Sequence, residues 1–267
     1  MTHAIPLRRA GYFAVSVLAL STLASLFIQD NTSPAALLFV MSPTLVTLVL
    51  RVTGDGWADS DLKLTGRLKD YLFAIGLFPT LSALSLGVGA ASGSVTFSSE
   101  FCTALGPAFA KQLLPSLVFA FGEEWGWRGY LEPQLQRAGL PRFKRHLAVG
   151  VLWAVWHVPY ILALGSKYSS IPLIIQLPLF HVAVVAMAFI WGPLRGRTAS
   201  AWPAILGHGI ANAVAFPLLN PDLLSIDDPL WFAARPEGLV SLAGLMLVAV
   251  ATFRSSTTQG ASRCRAG

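Results

Sequence analysis

Charge is scarce in this sequence. Only 12% of the 267 residues are Asp, Glu, Lys or Arg, whereas a soluble domain carries roughly a quarter, and 54% are apolar. With mean hydropathy at +0.62, too few polar side chains remain to coat a water-facing surface. That excludes a soluble enzyme and a disordered chain. Cysteine is almost missing as well. Cys102 and Cys264 lie far apart, near opposite ends of the hydrophobic pattern, so no disulfide is expected and a disulfide scaffold is excluded. The net charge of +6 does not mark a nucleic-acid partner, because the basic residues form no single patch and sit between apolar runs.

Those runs are what the sequence has in abundance. A helix needs roughly 20 apolar residues to cross the hydrocarbon core. Eight stretches qualify on this reading: 11–29, 35–52, 71–91, 111–131, 147–165, 171–192, 201–219 and 238–253. The first follows Arg8 and Arg9 but is too long for the apolar part of a signal peptide and has no clear cleavage site after it, so it reads as an uncleaved span. Basic residues gather at Arg8 and Arg9, at Lys63, Arg67 and Lys69, and at Arg137, Arg142, Lys144 and Arg145. They recur at Arg195 and Arg197 and in the tail at Arg254, Arg263 and Arg265. The alternate loops carry Asp30, Glu100, Asp222, Asp227 and Asp228, with only Lys111, Lys167 and Arg235 as nearby cations. Positive loops stay inside, so both termini are expected in the cytoplasm and the protein in the plasma membrane. Residues 95–110 are expected along the outer interface before span four begins near Lys111, and 220–236 as an ordered outer loop. The whole, 1–267, reads as one all-α membrane domain, a polytopic bundle of about eight transmembrane helices.

An ionisable group in mid-span costs several kcal/mol unless it faces the bundle interior and finds a partner, so such residues are functional candidates. Here they are Glu123, Glu124, Arg128, His157, His181 and His208, with the polar Asn212. In F-G-E-E-W-G-W-R-G-Y, residues 121–130, Glu124 stands four before Arg128, acid before base, the favourable order for a helical ion pair. Glu123 is left without a local cation. Desolvated beside Trp127, it suits a general base. In L-W-A-V-W-H-V-P, Trp153 and Trp156 flank His157 as a dry wall. In span seven His208 and Asn212 lie four apart and point the same way, able to donate two hydrogen bonds to one point, as an oxyanion hole does. Gly207 and Gly209 let another helix come close there. Each has a structural alternative: paired acids, a core histidine, glue between helices. His181 has no polar neighbour a turn away and reads as structural; His146, at a span end, and His3 are given no role.

Together E-E-x-x-x-R (Glu123, Glu124, Arg128), aromatic-x-x-x-H (Trp153 to His157) and H-x-x-x-N (His208 to Asn212) resemble the CAAX protease and bacteriocin-processing family of intramembrane endopeptidases. The resemblance covers roughly residues 105–220. The second motif usually begins with Phe; Trp153 keeps an aromatic wall there. The resemblance implies peptide-bond hydrolysis inside a membrane cavity, with water activated by Glu123 and His157 and the oxyanion held by His208 and Asn212. It implies a peptide or lipidated-protein substrate met among membrane lipid. Some members cut prenylated proteins after a lipidated cysteine, and some bacterial ones are linked to bacteriocin maturation or self-immunity.

Other intramembrane chemistries fit poorly. No H-E-x-x-H zinc motif and no G-x-S-G turn within a span occurs, and every Asp lies in a loop or at a span end. Glu123, His157 and His208 could be three zinc ligands. Asn212 is a poor ligand, however, and no second carboxylate is evident to orient either histidine, so no cofactor is expected, with zinc the alternative. The rival class is a non-catalytic immunity factor, scaffold or transporter using the same buried polar residues.

Overall fold

The computed structural model describes residues 4–57, 59–165 and 171–265, without the side chains of Asp55 and 256–265. His3 and Lys167 lie outside the described residues, as do the side chains of Arg263, Cys264 and Arg265. Backbone polar groups find no water in hydrocarbon, so an apolar chain of this kind satisfies them within helices. The helices are α1 (Ala4–Ser25), α2 (Pro34–Leu50), α3 (Leu68–Ala91), α4 (Phe101–Gly126) and α5 (Glu132–Arg137). They continue as α6 (Arg142–Leu164), α7 (Leu173–Thr198), α8 (Trp202–Ala215), the single turn α9 (Pro229–Phe232) and α10 (Leu239–Arg265). The start of α2 shows the local logic: Ser33 caps it by accepting a hydrogen bond from the Ala36 amide at 3.3 Å, and Pro34 follows with its φ already helical.

Six helical stretches among the described residues are long and apolar enough to cross a membrane: Pro34–Gly54, Leu68–Ala91, Phe101–Arg137, Arg142–Leu164, Leu173–Thr198 and Trp202–Leu219. The expected count of eight is not reached at the two ends of the chain. Arg8 and Arg9 fall within α1, and the apolar part of α10, Leu239–Ser255, is short. Residues 95–110 also differ from expectation. Val95–Phe97 form a strand, β1, and α4 already starts at Phe101, where the Glu100 carbonyl accepts from the Thr103 and Ala104 amides. A helix that has nucleated continues at little further cost, so the mixed polarity of 101–110 does not delay it. The loop 220–236 is ordered: Leu224–Ile226, β2, pairs antiparallel with β1, Thr96 opposite Ser225. Apart from this clasp the protein is an all-α membrane bundle.

The long helices close into a ring in the order α1, α2, α4, α8, α3, α10, α7, α6 and back to α1. Leucines and valines such as Val15, Val49, Leu84, Leu114, Leu162 and Leu247 point outward, where lipid would meet them. Small residues bring the helices together. A Cβ on Gly209 would stand 3.1 Å from the Leu117 Cα of α4, and one on Gly207 would stand 3.0 Å from the Ala74 carbonyl of α3. Helix α8 is therefore wedged between α3 and α4.

One end of the ring is basic and tightly tied. Arg51 donates to the Gly56 carbonyl at 2.7 Å, to Asp59 at 3.1 Å and to the Gly129 carbonyl at 2.6 Å. Arg137 pairs with the same Asp59, Arg195 with Asp61 and Arg197 with Asp70. The other end carries the β1–β2 clasp and a hydrogen bond from the Tyr160 hydroxyl to Asn31 at 2.9 Å.

Candidate active site

Helix α4 delivers the acidic pair. Glu124 Oε2 lies 2.8 Å from Arg128 Nη1, with both side chains wholly buried. Directly after the pair the helix widens into a π turn, Trp127–Leu131, a distortion often found at functional sites. Such a turn disturbs the regular ladder, and Arg51 takes up the Gly129 carbonyl within it. Glu123, on a different face, is 5% exposed and lines a cavity of about 390 Å³ inside the helix ring.

Two helices bring the other candidates to that cavity, and two more wall it. His157 on α6 places Nε2 3.9 Å from Glu123 Oε2, and its Nδ1 sits 2.8 Å from the Trp153 carbonyl one turn back. That contact fixes the neutral tautomer, with Nδ1–H donating and Nε2 free to accept a proton. His208 and Asn212 line the same cavity from α8, and apolar walls come from Phe39 and Val40 on α2 and from Phe180, Val184 and Met187 on α7. The structure thus brings together Glu123, His157, His208 and Asn212, with Glu124 and Arg128 behind them.

Three readings of the sequence are corrected here. Trp127 does not cover Glu123; it packs on Phe13 and Trp156. The neighbour of Glu123 is Trp153, whose indole Nε1–H donates to Glu123 Oε2 at 2.8 Å. Trp153 is consequently more than the aromatic wall a Phe would supply, because Phe has no such donor. Glu124 serves more than Arg128: its Oε1 lies 3.0 Å from His208 Nδ1, so a carboxylate does orient one histidine. The signal for Trp153 was in the sequence as the departure from Phe. The signal for Glu124 with His208 was not, since 84 residues separate them.

A further buried cluster was missed. Glu132 and His146 are each 1% exposed, with His146 Nδ1 3.2 Å from Glu132 Oε1 and Arg145 Nε 3.6 Å from the same oxygen. His146 is accordingly not an idle residue at a span end. This cluster lies apart from the cavity. So does His181, whose Nδ1 meets the Leu177 carbonyl at 2.6 Å while the ring lines an apolar groove between α6, α7 and α10.

A catalytic zinc would need three side-chain ligands around one point. Among the described residues no three His, Cys, Asp or Glu side chains are grouped closely enough to hold an ion.

Fold and site together define a class: a polytopic helical membrane protein that holds a carboxylate, two imidazoles and an amide around a cavity inside its ring. Residues 106–214, which contain all of these groups, match the family model described as Type II CAAX prenyl endopeptidase Rce1-like. The CAAX prenyl protease 2 of Methanococcus maripaludis is 32% identical over 147 residues, 54% of this chain and 51% of that protein. The chain thus spans about half the length of the curated relative it matches. The resemblance to the CAAX protease family holds over this segment, and the chain is an integral membrane protein related to that family.

Proposed function

We propose that the protein is an intramembrane endopeptidase of the glutamic type. The observation that carries this reading is the facing pair Glu123 and His157, 3.9 Å apart in a cavity also lined by His208 and Asn212. One water oxygen can bridge such a gap. The water attacks the scissile carbonyl carbon and gives its proton to Glu123, with His157 accepting its second hydrogen bond. His208, as an imidazolium whose Nδ1–H donates to Glu124, donates through Nε2–H to the oxygen that becomes negative, and Asn212 donates beside it. The carbon–nitrogen bond then breaks, the proton passes from Glu123 to the leaving amine, and the products are a new carboxylate and a new amine. The apolar walls suit a hydrophobic peptide or a lipidated protein entering from the membrane.

The test compares membrane proteomes of cells carrying the wild type and Glu123→Gln. Peptide termini present only with the wild type are expected, with normal expression of the variant. A Glu123→Gln variant that fully complements would favour the scaffold, immunity or transport class. Purified enzyme should keep its activity after exhaustive chelation; loss on chelation and recovery with zinc alone would make His157 and His208 ligands instead.

A further inference from the structure

Helix α7 presents two opposite faces to two different spaces. At about 100° per residue, Phe180, Val184 and Met187 share one side, towards the cavity around Glu123. Val182, Val185 and Phe189 fall on the other side and floor a groove of about 480 Å³ on the outside of the ring. Its walls are α6 and α10, which both pack on α7 but not closely on each other. At one end of the groove Phe189 meets Phe143 of α6 and Phe253 of α10, with ring centroids 5.3 and 5.4 Å apart. Among the described residues the lining has two polar side chains, Arg254 at that aromatic end and His181 at the far end.

Charge is distributed to match. Helices α6, α7 and α10 contain no Asp or Glu, and their cations gather at the aromatic end. Arg145, Arg195 and Arg197 turn to Glu132, Asp61 and Asp70 of other segments. Two more stay with the groove: Arg254 lines it, and the Arg142 guanidinium carbon lies 5.4 Å over the Phe253 ring. The α6 wall, from Phe143 to Ala154, is about 16 Å long at 1.5 Å per residue. Half of the hydrocarbon core is about 15 Å, so the groove runs the depth of one leaflet. An amphiphile with an anionic head and an apolar chain is complementary to such a space, as basic pockets between membrane helices are to anionic lipid headgroups. A second copy of the chain is not. Two copies in one membrane share an orientation, so α10 against α10 would set arginines against arginines with no acid on either helix.

We propose that this groove binds an anionic glycerophospholipid, with one acyl chain lying on α7 between α6 and α10 and the phosphate held by Arg142 and Arg254. Guanidinium groups suit that task, because their paired N–H donors match phosphate oxygens. The bound chain braces α7 from behind, along the helix whose other face walls the cavity. The site does not depend on the peptidase reading.

The test titrates the delipidated full chain in detergent with dioleoyl phosphatidylglycerol and with dioleoyl phosphatidylcholine, which share their chains and differ in net charge. Bound lipid is counted by native mass spectrometry. Phosphatidylglycerol should bind about 30-fold more tightly, the factor that two nearby cations supply, and should raise the melting temperature. Arg142→Gln with Arg254→Gln should abolish the difference. Lys63→Gln with Lys69→Gln, exposed at the same end but outside the groove lining, should keep it. Val250→Trp, filling the groove from its α10 wall, should block both lipids. Should these variants fail to fold, Arg254→Gln alone and Val182→Trp take their places. Equal affinity for the two lipids overturns the proposal, as does a preference that survives loss of both arginines or disappears with both lysines. A dimer that Val250→Trp splits, with no lipid bound to the wild type, also overturns it and gives the groove to a second copy.

Discussion

Trp153 touches nearly every charged or titratable member of the site. Its indole N–H holds Glu123, its carbonyl holds His157 Nδ1, its ring lies 4.4 Å beneath the Arg128 guanidinium carbon, and its edge meets His208 at 5.5 Å between centroids. A hydrogen bond to a charged group contributes about 1.5–3 kcal/mol, and 1.36 kcal/mol is tenfold in rate. Trp153→Phe keeps an aromatic ring, gives up some buried volume, and loses the donor. It should lower kcat by about 10- to 100-fold with far less change in KM, while the melting temperature in detergent changes little. Steady-state kinetics on a peptide from the Glu123-dependent set would measure this; a loss of turnover matched by a loss of folded protein would reduce Trp153 to a packing residue. The contrast with Glu124 and Arg128 shows what a sequence discloses at this scale. Their pairing is set by one turn of one helix and was readable from spacing alone. Trp153 reaches Glu123 across 30 residues and from another helix, and a neighbour of that kind is decided by packing.

Helix α8 carries half of the site and is positioned by what its residues lack. Gly207 and Gly209 flank His208 and let α3 and α4 approach to backbone distance on either side. Extra methyl groups in such a contact cost about 1–3 kcal/mol by forcing the neighbours apart. Gly207→Val, which would press on Trp191 and on the Ala74 carbonyl, should lower the melting temperature in detergent and move His208 away from Glu124. An unchanged melting temperature would mean that α8 is not wedged. The close-packing role of these glycines was legible because small residues in an apolar span have few other reasons to occur beside a histidine. The π turn after Glu124 was not legible, since hydropathy reports where a helix is and not how it is wound. Nor was the early start of α4, where Thr103, Gly106 and Pro107 masked a helix that begins well before Lys111.

Over the whole molecule, the ring is stabilised at its basic end by buried ions. Glu132 faces both Arg145 and His146 there, and all three are largely out of solvent. Removing one partner of a buried ion pair typically costs about 3–5 kcal/mol, because the other charge stays uncompensated. Glu132→Ala should therefore reduce folded yield and thermal stability by that order, while turnover per folded molecule is retained, because the cluster does not line the cavity. Loss of turnover at full stability would assign Glu132 to the chemistry instead. The apolar runs announced a membrane bundle, and the charge alternation announced its two ends. This cluster escaped because Glu132 precedes Pro133 near the end of a span, where an acid looks like a loop residue until α5 and α6 fold over it.

The clasp between β1 and β2 joins segments some 130 residues apart by main-chain hydrogen bonds, reinforced by the Ser98 amide to the Leu223 carbonyl and the Asp227 amide to the Ser94 carbonyl, each at 2.9 Å. Ser82 on α3 adds a bond to the Ala234 carbonyl at 3.0 Å. This end of the ring is thus tied together by backbone, to which almost any side chain can be attached. Selection can rewrite the side chains there without refitting the frame or disturbing the buried groups around Glu123. Such a division lets one helical scaffold acquire new surfaces by drift at its rim alone.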